Sequence, residues 1–484
     1  MVYNRSKYIL LPEPELTFSY VQPTYKSLSP LEGLKNWGPY DASIPGFILR
    51  PSNPIRIALI SPSTKVHTIK GYLQSLMKEN KLTKPHEYLR DYKGFKEIYG
   101  LNIDISDQLI ITVNPKEIVH CKNGEHPEIA FLELIKSKPK MLSAKREQFD
   151  LIVLFITSEM KEFLEIKSEN YSFDFHDQLK AYSAPSNLRL QLIREERIPK
   201  QADVNDTIRK LWWLSSAIYT KTGGIPYKLA DISGKTAFIG LAYGIKHGNT
   251  ANRIVLGSSQ VFNERGEGIR FHLFPIENPL WEKIGVKRKN PYMNSEDARR
   301  LFTIIRQDYQ TINGELPSRV VVHKSTPFKS EEIEGIVQAL EGINNIELLT
   351  INQNTLHRAI QGEIRSGKQE VSNFPIKRGT VLPLDSYSFL LWTCGDLDGV
   401  DPTGRHFYQE RRYIPEPIVV TRYLGKDCIE TVAVDILKLT KMNWNNLQIY
   451  NRLPVTIEFA HSISDIVKQL ESYSNVPKDF RYYI

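Results

Sequence analysis

The sequence is poor in cysteine and lacks any long apolar run. Its three cysteines, Cys121, Cys394 and Cys428, lie far apart in 484 residues. Such a set excludes a disulfide framework and a Cys-x-x-Cys metal knuckle, so the expected compartment is a reducing one, the cytoplasm. No apolar stretch approaches the length that spans a bilayer, and Pro12 and Pro14 come too early for a secretion signal.

Internal repeats, low-complexity runs and long flexible linkers are also absent. With 41% hydrophobic and 24% charged residues, the composition is that of a folded globular protein and excludes the disordered and fibrous classes. The chain is too long for one ordinary core, so at least two packed units are expected. The 63 Lys and Arg residues outnumber the 55 Asp and Glu residues to give a net charge of +8, which favours a polyanionic partner without identifying one.

The first half of the chain alternates between strand and helix patterns. Apolar runs at 55–62, 109–113 and 151–156 have the composition of parallel strands that are covered on both faces. An apolar stripe from Ile69 to Met77 has helical spacing, and a further helix at 175–184 precedes a strand at 188–193. Residues from about 50 to 220 therefore predict a Rossmann-like α/β layer.

The second half begins with strands and then alternates. Three strands with short turns predict a meander, and helix and strand pairs follow it. This order fits an RNase H-like unit. The predicted strands are 236–243, 253–261, 268–274, 320–323, 346–351 and 418–423, with a hairpin around Asp385, and the predicted helices are 296–312, 331–340, 430–439 and 462–470.

Four polar residues in the first half predict a pocket for a terminal phosphate. His176 and Lys180 share a helix face by their i, i+4 spacing, and Gln191 lies on the next strand. Clefts beyond the carboxyl ends of parallel strands are the usual ligand sites of such sheets. Lys221 lies in the last turn of the helix that starts near Asp203 or Asp206 and should end at Gly223-Gly224. Taken singly, these residues are also explained as a solvated helix face and a lysine that caps a helix.

An acidic loop occurs later in the chain. Asp396, Asp398 and Asp401 resemble a calcium loop only loosely, because the glycine comes too early and the bidentate glutamate is missing. We interpret this segment as a solvated turn.

Several motifs, in order and spacing, resemble the prokaryotic Argonautes, in particular the short ones that contain only MID and PIWI domains. The likeness covers nearly the whole chain. The motifs that carry it are LPEPEL (11–16), GPY (38–40), HDQLK (176–180) with Gln191, KTGGIPYK (221–228), FIG (238–240), RGT (378–380), LTKMNW (439–444) and LPVT (453–456).

The resemblance implies an α/β fold with a Rossmann-like MID domain followed by an RNase H-like PIWI domain. Residues 1–50 would be an N-terminal segment packing on PIWI, 51–220 the MID domain and 221–484 the PIWI domain. His176, Lys180, Gln191 and Lys221 match the pocket for the 5′-phosphate of the guide, with a histidine in place of the commoner tyrosine as the ring that stacks on the first base. In related proteins the C-terminal carboxylate enters this pocket, which implies that Ile484 and Gln191 bind Mg²⁺ or Mn²⁺.

The resemblance also implies that this chain does not cut its target. Slicing members hold two metal ions with a cluster of carboxylates. Ala242, Ser325 and Asn443 occupy the positions where these acids are expected. We therefore expect no slicing activity.

The expected partners are a guide RNA, a single-stranded DNA target and an effector protein. The length leaves no room for a PAZ domain, and short inactive members are paired with a protein that carries a PAZ-like segment and a TIR, sirtuin-like or nuclease domain, in antiviral or antiplasmid defence. Two alternatives remain open. One is a guide-directed nuclease that uses acids among Asp385, Asp396, Asp398 and Asp401, and the other is a guide-independent module that binds a nucleotide or a strand end.

Overall fold

The computed structural model describes residues 8–46, 51–168, 171–199, 203–230, 235–247, 253–263, 268–276, 278–284, 288–365, 367–400, 406–410, 414–470 and 476–484. The N-terminal part contains three short strands and a helix, which are β1 (Ile9–Leu10), β2 (Leu16–Thr17), β3 (Lys26–Ser27) and α1 (Pro30–Trp37). Ser29 caps α1 by accepting a hydrogen bond from Glu32 N, and Pro30 occupies its first turn.

The next unit is built around a parallel sheet. β7 lies between β10 and β4, and both β5 and β6 pair with β4. Nearly every residue of β4 and β7 is buried, because helices cover both faces of the sheet. The predicted Rossmann-like layer is confirmed. Its elements are β4 (Ile55–Pro62), β5 (Ile103–Asp104), β6 (Ile110–Val113), β7 (Leu151–Ile156), β8 (Glu165–Lys167), β9 (Ser172–Asp174), β10 (Leu190–Arg194), α2 (Val66–Ser75), α3 (Phe95–Tyr99), α4 (Pro115–Cys121), α5 (Pro127–Lys140), α6 (Phe175–Ser183) and α7 (Val204–Lys221).

The remaining strands are β11 (Lys228–Leu229), β12 (Thr236–His247), β13 (Arg253–Phe262), β14 (Gly268–Ile276), β15 (Leu280–Ile284), β16 (Arg288–Tyr292), β17 (Arg319–Lys324), β18 (Asn345–Asn352), β19 (Gly362–Arg365), β20 (Lys368–Val371), β21 (Thr380–Pro383), β22 (Ser388–Leu391) and β23 (Ile418–Leu424). The helices are α8 (Ser295–Asn313), α9 (Ser330–Ala339), α10 (Ile429–Leu439) and α11 (Val455–Val467).

A nine-stranded mixed sheet organises this second unit. Its order is β1-β21-β22-β23-β18-β17-β12-β13-β14. The predicted meander is confirmed, since β12, β13 and β14 pair antiparallel in sequence order, whereas β12, β17 and β18 are parallel. β1 pairs with β21 at the edge of this sheet. The strand and helix order is that of an RNase H-like unit.

Helix α11 lies tightly against β12. A Cβ atom added at Gly240 would stand 1.9 Å from the carbonyl oxygen of Thr456, so only glycine permits this approach. Ser464 Oγ also donates to the carbonyl oxygen of Tyr243, at 3.4 Å. The helix and the strand therefore act as one packed unit.

Two predictions differ from the structure. The helix predicted at 462–470 begins at Val455, because Pro454 is its N-cap and the following residues are buried on several faces, which hides the helical period. Asp396 is buried and not part of a solvated turn, since its main chain bonds to Ile376 and Arg378. Asp401 lies outside the described residues. Within the ranges given above, no helix combines the length and the apolar character that crossing a bilayer requires.

Candidate functional site

Three of the predicted pocket residues and the end of the chain meet beside β10. Lys180 Nζ donates to a main-chain oxygen of Ile484 at 2.5 Å and to the Leu190 carbonyl at 3.2 Å. Lys221 Nζ donates to the same Leu190 carbonyl at 3.2 Å and to Gln191 Oε1 at 2.7 Å. Two ammonium groups thus share one carbonyl oxygen.

The site does not lie beyond the carboxyl ends of the parallel strands. β10 is an edge strand of its sheet, and Leu190 is its first residue. An edge strand leaves carbonyl groups without strand partners on its outer side. The lysines bond to this outer side, which is why the site runs along the strand.

Local structure fixes the two lysines. Asp174 caps α6 by accepting from Asp177 N, and this sets the helix that carries Lys180. Lys221 is the last residue of α7, and the chain then turns through Gly223, whose φ is +115°. Gly224 packs against the ring of Tyr219, where a Cβ would stand 2.2 Å from a ring carbon.

The N-terminal segment holds the turn after α7 in place. Asp41 accepts a hydrogen bond from Ile225 N at 3.0 Å and another from the Tyr219 hydroxyl. Tyr40 N donates to the Pro226 carbonyl at 3.0 Å. The GPY and KTGGIPYK motifs are therefore in contact, and the first positions the second.

The end of the chain is also docked. The Tyr483 ring packs on Phe271 of β14 with ring centroids 5.0 Å apart, and Phe271 N donates to the Lys478 carbonyl at 2.8 Å. Tyr483 and Ile484 are both buried. These contacts hold the main-chain oxygen of Ile484 against Lys180.

The electrostatics of the two lysines favour an anion. Lys180 and Lys221 are 1% and 4% exposed. Burial lowers the pKa of Lys180 to about 7. Burial also lowers the pKa of Lys221 well below its usual value, and the charge of Lys180 lowers it further. A bound anion would stabilise the charged form of both lysines, which burial deprives of hydration.

His176 lies close to these lysines, and it lines the same cavity as Lys221. Its side chain is 42% exposed, and its Nδ1 lies 3.3 Å from Asp177 Oδ1. Burial lowers the pKa of His176, and Lys180 and Lys221 lower it as well. The ring is therefore neutral at pH 7, with a face available for stacking. Asp174, His176 and Asp177 also offer ligand atoms within 4.8 Å of one another, which forms a possible metal-binding group.

A cavity of about 740 Å³, whose lining includes His176, Gln191 and Lys221, lies between the two units. The units also meet outside this lining, where Gln178 of α6 donates to Gln469 after α11 at 2.9 Å. Trp213 adds an aromatic side chain to the lining, and four basic side chains line it as well, namely Arg194, Arg197, Arg209 and Lys210. Sequence reasoning missed this lining, although the basic pairs 194/197 and 209/210 flank the predicted pocket in the sequence.

The oxygen atoms at the site suit a hard divalent cation. Gln191 Oε1 and the main-chain oxygen of Ile484 are ligands of the kind that Mg²⁺ and Mn²⁺ accept. Gln191 Nε2 donates to the Leu192 carbonyl at 2.8 Å, which turns Oε1 toward Lys221 and the cavity. Each of these two oxygens accepts a hydrogen bond from a lysine, Gln191 Oε1 from Lys221 and the Ile484 oxygen from Lys180.

Ala242 and Ser325 lie side by side at a second place. β12 and β17 are parallel, and Leu241 pairs with Lys324. Ala242 of β12 and Ser325, which directly follows β17, are therefore neighbours. His461 of α11 faces the same edge, with Nε2 3.0 Å from Ser325 Oγ. Neither Ala242 nor Ser325 supplies a carboxylate to this edge.

Asn443 differs from the expectation, because the structure places it in the cavity with Gln191 and Lys221. α11 separates the two places. Its Thr456 contacts β17 and its Ser464 contacts β12, whereas Glu458 lies on the opposite side of the helix. The cavity is lined by Glu458, Phe459, Ser462 and Ile463 of this helix. Asn443 and Glu458 both line the cavity. The separation by α11 depends on tertiary packing, which the local pattern does not encode.

No family model matches the sequence. The chain is 22% identical to the protein argonaute of Aquifex aeolicus over 393 residues, which is 79% of this chain and 45% of the relative. Among solved structures it is similar to Clostridium butyricum Argonaute bound to a guide DNA and a 19-mer target DNA, with a TM-score of 0.66 and 16% identity over 99% of this chain and 55% of that one. It is also similar to Aquifex aeolicus Argonaute, with a TM-score of 0.58 and 18% identity over 99% of this chain and 57% of that one.

The fold is thus the MID and PIWI architecture of the Argonautes, a Rossmann-like unit followed by an RNase H-like one. The sequence match agrees with the structural one, and the chain is an Argonaute homologue. It spans about half the length of the relatives that it matches. The predicted domain boundary at 220/221 falls at the last residue of α7 and stays a prediction.

Proposed function

We propose that this chain binds a 5′-phosphorylated guide RNA and uses it to capture a complementary single-stranded DNA target. The observation that carries the proposal is the pair of buried lysines beside β10. Within the described ranges, neither Lys180 nor Lys221 forms an ion pair with an acidic side chain, so their charges are compensated only by neutral oxygens and the end of the chain. A terminal phosphate would supply the missing negative charge.

The rest of the cavity fits the first nucleotides of a strand. The exposed face of His176 would stack on the first base, and Trp213 offers a second aromatic surface. The basic side chains along the cavity would follow the phosphate backbone, while base pairing by the guide reads the target sequence. The Clostridium butyricum relative is bound to a guide and a target DNA, which supports this arrangement.

A divalent cation, Mg²⁺ or Mn²⁺, would share the phosphate with the lysines. Gln191 Oε1 and the Ile484 carboxylate would hold it, and the ion would neutralise part of the phosphate charge. Gln191 would orient the ion, and Lys180 would fix the Ile484 oxygen that it already contacts at 2.5 Å.

Alanine substitution of the two lysines tests the phosphate pocket. Each charge-assisted hydrogen bond contributes about 1.5 to 3 kcal/mol, so Lys180→Ala and Lys221→Ala should each weaken a 5′-phosphorylated guide roughly 10- to 100-fold. A guide with a 5′-hydroxyl should change little. Equilibrium binding of labelled guides measures this.

Lys70→Ala is the matched control, since Lys70 lies on α2 and pairs with Asp107 away from the cavity. It should bind both guides as the unaltered protein does. Equal losses for phosphorylated and hydroxyl guides in the Lys180→Ala and Lys221→Ala variants, or no loss for either, would contradict the pocket assignment.

We further propose that the chain does not cut the target. Two-metal cleavage needs converging carboxylates, and Ala242 and Ser325 provide none at the place where β17 ends beside β12. Incubation with guide, target and Mg²⁺ or Mn²⁺ should leave the target intact. Guided cleavage that disappears on substitution of Asp385, Asp396 or Asp398 would instead establish the nuclease alternative.

The output would then come from an associated effector. In this proposal target pairing activates a partner protein that carries a PAZ-like segment and a TIR, sirtuin-like or nuclease domain, in the cytoplasm of a prokaryotic cell and in defence against viruses or plasmids. The absence of carboxylates at Ala242 and Ser325 supports the proposal. A chain that recognises a target without cutting it needs a second protein to produce an effect.

A further inference from the structure

A group of three side chains lies in the loop region after β22, away from the residues of the proposed guide pocket. Asp396, Asp398 and His406 offer ligand atoms that all fall within 4.8 Å of one another. His406 Nδ1 lies 2.7 Å from Asp396 Oδ2 and 3.4 Å from Asp398 Oδ1. The three atoms converge on a small volume.

Asp396 is the unusual member of this group. Its side chain is fully buried, and its Oδ1 has no hydrogen-bond partner among the residues that the structure describes. A buried carboxylate oxygen without a partner is costly, so a cation at this place would remove the cost.

The backbone fixes the group before any ion binds. Asp396 N donates to the Ile376 carbonyl, and Arg378 N donates to the Asp396 carbonyl, both at 3.0 Å. Leu397 and Phe407 form a two-way bridge with N to O distances of 2.8 and 3.0 Å. Asp396, Asp398 and His406 therefore flank residues that the bridge already holds together.

The His406 ring is held as well. It stacks on Phe374 with ring centroids 3.9 Å apart and an angle of 23° between the planes. The stack keeps Nδ1 toward the two carboxylates. A ligand set that is oriented in this way binds an ion without first having to be ordered.

We propose that Asp396, Asp398 and His406 form a binding site for a divalent transition-metal ion of the Mn²⁺ or Zn²⁺ class. One imidazole nitrogen and two carboxylate oxygens are the donors that such ions accept, whereas Ca²⁺ and Mg²⁺ prefer oxygen alone. Lys377 pairs with Asp398 and neutralises that carboxylate while the ion is absent. The ion would lock the bridge of Leu397 and Phe407, so its role is structural.

Titration of the guide-free full chain with MnCl₂ after chelation tests this site. Calorimetry should show binding that is weakened at least a hundredfold in Asp398→Asn and His406→Ala, since loss of a direct ligand exceeds the roughly 10- to 100-fold effect of losing a supporting residue. Both side chains are substantially exposed, so these variants should fold. The thermal midpoint should rise with MnCl₂ in the unaltered chain and rise less in the two variants.

Asp177→Asn is the matched control, because Asp177 belongs to the other group of possible ligands, with Asp174 and His176. This variant should keep the Mn²⁺ binding. The proposal is overturned if the unaltered chain binds no Mn²⁺, if Asp398→Asn and His406→Ala bind it as well as the unaltered chain, or if the binding disappears in Asp177→Asn instead.

Discussion

At the scale of single residues, the proposed phosphate pocket depends mainly on Lys180 and Lys221. Both are buried, both have a lowered pKa, and both point at the same carbonyl oxygen of Leu190. An ordinary surface lysine loses little by staying charged in water. These two lysines lose hydration and gain no acidic side chain as a partner. A bound phosphate would therefore strongly stabilise their charged form.

Binding of the phosphate should depend on pH as a consequence. The pKa of Lys180 in the free protein is about 7, and a phosphate that favours the ammonium form must raise it. Binding above pH 7 therefore takes up a proton, and the affinity for a 5′-phosphorylated guide should fall by up to about tenfold per pH unit for each proton taken up. Guide binding measured from pH 7 to pH 9 checks this.

A 5′-hydroxyl guide is the control in that measurement, because it brings no phosphate to the lysines. Its affinity should vary much less over the same range. Parallel pH curves for the two guides would show that the phosphate does not contact these groups.

The site residues differ in how far the sequence alone could identify them. His176, Lys180 and Lys221 lie on helices whose ends are marked by Asp174, Asp203 and Gly223, so local spacing brought them close to their places. The sequence predicts Asn443 at one of the positions of the slicing acids, together with Ala242 and Ser325, but Asn443 lines the cavity instead. Its position depends on tertiary packing, which no local motif encodes.

At the scale of elements, α11 lies between the cavity and the place where Ala242 and Ser325 are neighbours. Its Thr456 and Ser464 contact β17 and β12, and Glu458 on the opposite side lines the cavity. The helix comes close to β12 at Gly240, which faces the carbonyl oxygen of Thr456.

Gly240→Ala should therefore destabilise the fold. The added Cβ would stand 1.9 Å from a backbone oxygen, so strand and helix must move apart. Overpacking of this kind costs about 1 to 3 kcal/mol. Urea unfolding measures the loss.

Gly71→Ala is the matched control, since Gly71 lies in α2 and a Cβ there meets nothing within 4 Å. In a helix this change should be neutral or stabilising by about 0.5 to 1 kcal/mol. If both variants unfold at the same urea concentration as the unaltered chain, the close approach of α11 to β12 is not a constraint on the fold.

The sequence predicted the interior strands of both sheets well, since apolar runs such as β7 are bounded by turns and buried on both faces. It placed the start of α11 seven residues too late, because the buried start of that helix lacks an exposed polar face. The bridge between Leu397 and Phe407 and the burial of Asp396 arise from long-range contacts with Ile376 and Arg378, which no local period encodes.

At the scale of the whole molecule, the two units share one cavity, where we propose that the nucleic acid binds. The cavity lies between them, and residues of α6, α7, α11 and the end of the chain line it together. The net charge of +8 is modest for this length, so affinity must come from where the charges lie. The basic side chains along the cavity and the two buried lysines beside β10 concentrate positive charge there, which Asp206 offsets in part by pairing with Arg209 and Lys210.

The nucleic acid that copurifies with the protein tests the central claim most directly. After expression in cells that contain its natural nucleic acids, the bound strands are extracted, labelled at their 5′ ends with and without prior phosphatase treatment, and sequenced. The account predicts short RNA strands of uniform length that carry a 5′-phosphate and are lost in the Lys180→Ala and Lys221→Ala double variant. A protein that carries no such strands and binds a mononucleotide tightly would contradict guide binding and establish the guide-independent module.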